Sequence, residues 1–352
     1  MATESSVSRA VTAMTEGRSV IVLGDVKGHV EGHLVVAAQK ATTSGIAFMI
    51  RHTSGFICVA VDDERCDRLQ LPPQQSRNDR QGAPDYRVAV DLKGVGTGIS
   101  AEDRARTIAA LGSAEAQTEH FTRPGHVIPV CASDGGVLQH VGYPEAAIDL
   151  ARLANLHPAA AIAALVSSER PSDMAGHDEV LHFADTHGLP VVTLAGLVAH
   201  RRRTEPVLER MASDALTVSG RRLDVVEYRG RYDSMVHSAV LAHDQSPDGE
   251  GPVYVHTACG TADLLGSRLC GCRTRWDRAI AAIAETGRGM AIYVRPPTGT
   301  PRYGACGSSE DILIDYTWTV TSSMIRDLGF HPTVTNWSAR LHESAAPHSN
   351  YP

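Results

Sequence analysis

The chain has 352 residues, 43 % hydrophobic and 21 % charged, enough for two globular domains with a core each. A net charge of −7 excludes a general nucleic-acid binder, which carries a basic excess. No run approaches the ~18 apolar residues of a membrane span, so neither nucleic acid nor membrane is an expected partner.

The opening residues, MATESSVSRA, carry no charged-then-apolar leader, and a cytoplasmic protein is expected. Residues 7–16 read as a short helix and 19–25, SVIVLGD, as a buried strand. In the following GDVKGHVEGHLVV (24–36), His29, Glu31 and His33 alternate, so a strand would put all three on one face. Such a face suits either a transition metal or the polar rim of a sheet. FICVAVD (56–62) and YRVAVDL (86–92) are further strands. The segment 100–111 opens with a Ser N-cap and a carboxylate three residues on, a helix-start signature. PEAAIDLARLAN (144–155) has Pro in its first turn and a 3.6-residue apolar period, and AAAIAALVS and PVVTLAGLVAHRRR add a strand and a strand–helix unit. This alternation indicates α/β (α+β) architecture, each domain a mixed sheet layered with helices.

The charged stretch 200–215 reads as the interdomain linker. Beyond it lie strands near 223–229, 236–242 and 251–257, a loop tip at 244–251, a helix over 276–289 with Gly287 as its stop, and a strand at 290–295. From 296 onward the chain is turn-rich.

Seven cysteines in a reducing compartment point to metal binding or catalysis rather than disulfides. Cys259, Cys270 and Cys272 form a C-x10-C-x-C group, three thiolates that suit Zn2+ with one position left open. Cys306 stands alone as a candidate nucleophile or extra ligand.

Three segments of the first half, 51–73, 97–108 and 123–154, resemble 3,4-dihydroxy-2-butanone 4-phosphate synthase of riboflavin biosynthesis, and 255–295 resembles GTP cyclohydrolase II. The resemblance implies a synthase-like domain over 1–205 and a shortened cyclohydrolase-like zinc domain over 206–352, in a homodimer acting on a small-molecule substrate. It also implies where the pattern has changed. The acidic metal-binding loop falls on 24–33, where His29 and His33 replace carboxylates and Gly28 an arginine. Tyr143 takes the place of the second metal-ligating side chain, His140 that of a phosphate-holding arginine, and Ala164 that of a catalytic glutamate. Mg2+, which needs carboxylate oxygens, is therefore not expected there.

In the second half, Tyr254, Ala258 and Pro296–Gly299 replace nucleotide-reading residues, while Arg295 is kept. The catalytic run falls on Ile314, Tyr316 and Trp318, and a late basic segment on Thr335–Arg340. The candidate catalytic residues are then His29, Glu31, His33, Tyr143 and Arg295. The candidate substrate-binding residues are Arg51, Ser54, Thr97, Asp103, Arg123, His126, His140 and Glu145. These changes favour a diverged zinc-containing homologue, a hydrolase or lyase acting on a different small substrate. A non-catalytic ligand-binding scaffold and an ordinary riboflavin-biosynthesis enzyme of the GTP cyclohydrolase II type are the alternatives.

Overall fold

The computed structural model describes residues 5–26, 29–74, 84–242, 249–268, 270–296 and 311–337. Lys27, Gly28, Leu269, Pro297–Gly299, Cys306 and Ser338–Arg340 lie outside the described residues, as do the side chains of His29, Ile314 and 335–337. The chain divides into two units, Met1–Arg201 and Arg202–Pro352. Each is a mixed sheet layered with helices, the α/β class read from the sequence.

In the first unit the elements are α1 (Ser6–Thr15), β1 (Val20–Val26), β2 (His29–Ala37), α2 (Thr43–His52), β3 (Cys58–Asp62), α3 (Asp63–Arg68), β4 (Asp85–Tyr86), β5 (Val90–Leu92), α4 (Ala101–Leu111), β6 (Phe121–Ala132), α5 (Tyr143–Leu153), β7 (Ala159–Ala164), α6 (His177–His187), β8 (Val191–Thr193) and α7 (Leu194–Thr204). Strand order is β4-β6-β3-β7-β2-β1-β8, with β5 paired to β6. The sheet is covered on both faces, which is why β3 is buried along its whole length and carries no polar alternation. Leu34, Val36, Val59 and Val61 meet Ile46 and Met49 of α2, Ile108 of α4 and Val180 of α6. Their neighbours Val35, Ala37, Cys58 and Ala60 meet Ala10 of α1, Ile148 of α5 and Leu197 of α7. The period of two thus sends alternate residues into two separate cores.

The Ser100 Oγ accepts the Asp103 amide at 3.0 Å, the cap expected for α4. The segment expected as one strand over 86–92 is two short ones on β6, because after Arg87 the Val88 amide leaves that ladder for the Pro72 carbonyl, 2.9 Å away, and the pairing resumes with a register shift at Val90/Asp91.

The second unit contains β9 (Leu208–Val218), β10 (Arg221–Gly230), β11 (Val236–Ala242), β12 (Glu250–Thr257), α8 (Cys272–Thr286), β13 (Met290–Val294), α9 (Asp311–Asp327) and β14 (His331–Trp337). Strand order is β14-β12-β13-β11-β10-β9, with β12 parallel to both β13 and β14. Ile283 and Ala284 of α8 pack on one face, Val320 and Met324 of α9 on the other. Helix α8 stops at Gly287, whose φ of +68° is the left-handed conformation a glycine accepts freely. The two units divide at Arg201/Arg202, inside the stretch 200–215, but that stretch is structured rather than an open linker: α7 runs to Thr204 and the edge strand β9 starts at Leu208. Most of β9 is exposed, so it lacks the apolar alternation that announces a strand.

Candidate active sites in the two halves

In the first unit, β1 and β2 form an antiparallel hairpin in which Gly24 faces Glu31 and Val22 faces His33. The stretch 24–36 is therefore paired strand flanking its tip, not loop. On the next strand over, Ala164 pairs with His33. Because odd-numbered residues of β2 face α5, His33 meets Tyr143, the first residue of that helix. The rings stack with centroids 3.7 Å apart and planes 18° from parallel. The Tyr143 hydroxyl lies 2.9 Å from the carbonyls of both Gly24 and Glu31. Burial pushes its pKa well above the ordinary phenol value, so it stays a donor. The His33 Nε2 lies 3.2 Å from Glu31 Oε2, while Nδ1 is buried without a partner among the described residues.

The other expected residues of this half have traceable places. Ser54 donates its amide to the Ala164 carbonyl at 2.9 Å just after α2, whose last turn carries the exposed Arg51. Asp103 accepts the amides of Gly96 and Gly98, each at 3.1 Å, and so holds the loop carrying the exposed Thr97. The Gly96 bond first, then Ser100 and Gly98, keeps the Asp103 carboxyl below the usual carboxylate range. His126 Nδ1 meets Asp91 Oδ2 at 2.7 Å. Arg123 is spent on main chain: one Nη donates to the Leu69 carbonyl at 2.7 Å. His140 approaches Glu145 Oε2 at 3.1 Å, and the buried Glu145 also accepts the Ser133 amide. That hydrogen bond to Glu145 raises the His140 pKa.

In the second unit, the sulfur atoms of Cys259, Cys270 and Cys272 all lie within 4.8 Å of one another, with Cys259 and Cys272 buried. Chain order explains the convergence. Cys259 follows β12, a π-helical turn over Gly260–Leu264 reverses the chain, and Cys272 opens α8. The positive end of the α8 dipole then favours negative charge at Cys272, and Arg275 Nη2 sits 3.6 Å from its sulfur. This is the one cluster of three or more metal-ligating side chains among the described residues.

Two networks at this end of the sheet were not visible in the sequence. Asp263 Oδ2 accepts the Cys259 amide at 2.7 Å, His256 Nε2 at 2.9 Å and the Tyr293 hydroxyl at 2.8 Å. Nearby, His237 Nδ1 accepts the amide of the exposed Arg295 at 3.2 Å. The Tyr316 hydroxyl lies 2.6 Å from Asp233 Oδ2 and 3.3 Å from His237 Nε2. His237 is fully buried, and that burial lowers its pKa to about 4. The Val294 carbonyl accepts the Ala258 amide at 2.8 Å, which puts the Arg295 backbone beside that of Cys259. A local signal existed only for His256, three residues before the first cysteine.

The profile of 3,4-dihydroxy-2-butanone 4-phosphate synthase matches residues 8–200 and that of GTP cyclohydrolase II residues 209–302. The riboflavin biosynthesis protein RibBA of Rhodococcus jostii is 43 % identical over 299 residues, covering 84 % of this chain and 72 % of that protein. The chain belongs to this riboflavin-biosynthesis family.

Among solved structures, RibBX, a two-domain 3,4-dihydroxy-2-butanone 4-phosphate synthase from A. baumannii, superposes with a TM-score of 0.79 at 29 % identity, covering 98 % of this chain and 97 % of that one. A 3,4-dihydroxy-2-butanone 4-phosphate synthase in complex with two magnesium ions matches 55 % of this chain and 95 % of its own at 37 % identity, TM-score 0.52. Both matched families are enzyme families. No helix of the described residues is long and apolar enough to cross a membrane.

These relatives overturn the expectation of a diverged homologue turned to a different substrate. Identity of 43 % across most of the chain is that of a regular family member, and the ordinary riboflavin-biosynthesis reading is the one the relatives fit. A handful of changed motif positions does not outweigh agreement across the rest of the chain.

Proposed function

We propose that the chain is an enzyme of riboflavin biosynthesis whose working centre is a GTP cyclohydrolase II-type zinc site built from Cys259, Cys270 and Cys272. The observation that carries this is the convergence of three thiols, two of them buried, at the mouth of the β12–β13 pair. The donor set fits zinc: three soft ligands leave one position for water or substrate. Bound there, zinc supplies Lewis acidity and lowers the pKa of a ligated water. The chain's own contribution is to hold the thiols together and to place positive charge, Arg275, beside Cys272 for an anionic substrate such as GTP, with the Arg295 backbone running alongside Cys259. We read residues 1–205 and 206–352 as the two functional halves of a cytoplasmic homodimer.

Mg2+ does not fit the position of the first half at which the resemblance places it. The Tyr143 hydroxyl is already directed at two carbonyls, its ring is stacked on His33, and among the described residues the carboxylate that meets His33 is Glu31. A phenol and an imidazole are poor donors to a hard cation. No step is assigned to Mg2+ there.

The test is formate release by the purified full-length protein, with zinc content measured on the same sample. GTP turnover that falls at least ~100-fold in Cys270→Ser, alongside loss of about one zinc per chain, is the expected result. A zinc-loaded protein with no activity on GTP would refute the proposal.

A further inference from the structure

We infer that Asp263, gripped by His256 and Tyr293, is the positioning residue that fixes the Cys259 thiolate for its metal. The inference rests on reading the three cysteines as a zinc centre. Cys259 sits just past the end of β12, where the chain leaves the sheet and ladder bonds no longer constrain it. Its amide instead donates to Asp263 Oδ2 at 2.7 Å, four residues on across the π-helical turn. By itself such a bond closes a turn and nothing more. What distinguishes this carboxylate is how it is held from below.

His256 and Tyr293 are direct partners in the parallel β12–β13 register, so their side chains rise side by side on one face of the sheet. Their rings are 5.1 Å apart, and both reach the same Asp263 oxygen, at 2.9 and 2.8 Å. His256 is 1 % exposed. With Nε2 donating, its Nδ1 is left buried and unpartnered among the described residues, a cost the fold accepts at this position. Trp276 packs against both rings, with centroids 5.5 Å from His256 and 5.4 Å from Tyr293. Trp276 belongs to α8, the helix that Cys272 opens.

The network therefore joins the two strands, the turn bearing Cys259 and the helix bearing Cys272 through one carboxylate and one indole. Three charge-assisted bonds on a single oxygen are stronger than neutral ones and set the angle of the Cys259 backbone before any metal arrives. A thiolate triad built this way loses less conformational freedom on loading and releases metal more slowly.

The test compares wild type, Asp263→Asn and Tyr293→Phe by the rate at which a colorimetric chelator strips zinc, and by the ligand-field spectrum after cobalt substitution. Asp263→Asn keeps the shape of the side chain but removes its charge. It is expected to speed metal release ~10–100-fold and to shift the cobalt bands. Tyr293→Phe, which removes one donor and leaves the backbone bond, is expected to give a smaller shift in the same direction. Zinc release at the wild-type rate in both variants, with unchanged cobalt bands, overturns the inference while leaving the zinc centre standing. A wild-type protein that takes up no zinc overturns the zinc centre itself, and the inference with it.

Discussion

Acid should weaken the second unit through one residue, His237. Free histidine titrates near pH 6.5, whereas burial lowers the pKa of folded His237 to about 4, with Arg295 adding to the shift and Asp233 opposing it. Between those two values the unfolded chain binds a proton that the folded one refuses. Stability is thus fully present above pH 6.5, falls as the pH drops, and levels off below about 4. At 1.36 kcal/mol per unit, the loss is about 3 kcal/mol. The side chain is fully buried, so solvent screening does not reduce this figure.

His237→Asn keeps an acceptor for the Arg295 amide and cannot titrate. Other ionising groups change equally in both proteins, so the difference between the two pH profiles isolates His237. The assay is urea unfolding followed by tryptophan fluorescence at intervals from pH 7.5 to 4. All three tryptophans, Trp276, Trp318 and Trp337, lie in the second unit, and the signal reports that unit alone. Wild type should lose about 3 kcal/mol more than the variant across this range. Parallel profiles, within about 0.5 kcal/mol, would show that the folded protein accommodates the charged imidazole and would refute the reasoning.

In the first unit, Arg201→Leu should cost about 3–5 kcal/mol, read as a thermal shift by circular dichroism, because it strands the fully buried Asp149 carboxylate that Arg201 meets at 2.8 Å. Burial already raises the Asp149 pKa despite Arg201, so the deficit should shrink as the pH is lowered and Asp149 takes a proton. Tyr143→Phe should cost about 1 kcal/mol in the same assay, the worth of one hydroxyl bond to the Gly24 and Glu31 carbonyls, because the stacked ring is kept.

What the sequence disclosed follows the range of the interaction that encodes it. The Ser100 cap, the Gly287 stop and the buried run of β3 are written within a few residues, and each was legible. The cysteine triad was legible for the same reason, since fourteen consecutive positions carry all three ligands. Strand β9 was not, because an edge strand exposed for most of its length carries the composition of a linker. Helix α9 was not either: its Thr-Trp-Thr-Val-Thr stretch is β-branched and aromatic, poor helix propensity that packing of Val320 and Met324 overrides.

The polar networks were hidden for a different reason. His256 and Tyr293 are thirty-seven positions apart and meet only because β12 and β13 run parallel in one particular register. A shift of one residue would turn one of them to the opposite face and leave Asp263 with a single side-chain donor. His237, Tyr316 and Asp233 come together in the same way, from β11, α9 and the turn before β11. The ligands of the centre are thus set by local spacing, while the groups that orient them are set by sheet register. A sequence reading sees the first and not the second. The stretch 24–36 makes the same point from the other unit: its period of two does put Glu31 and His33 on one face, but what they meet there is Tyr143, brought in by a helix more than a hundred residues later.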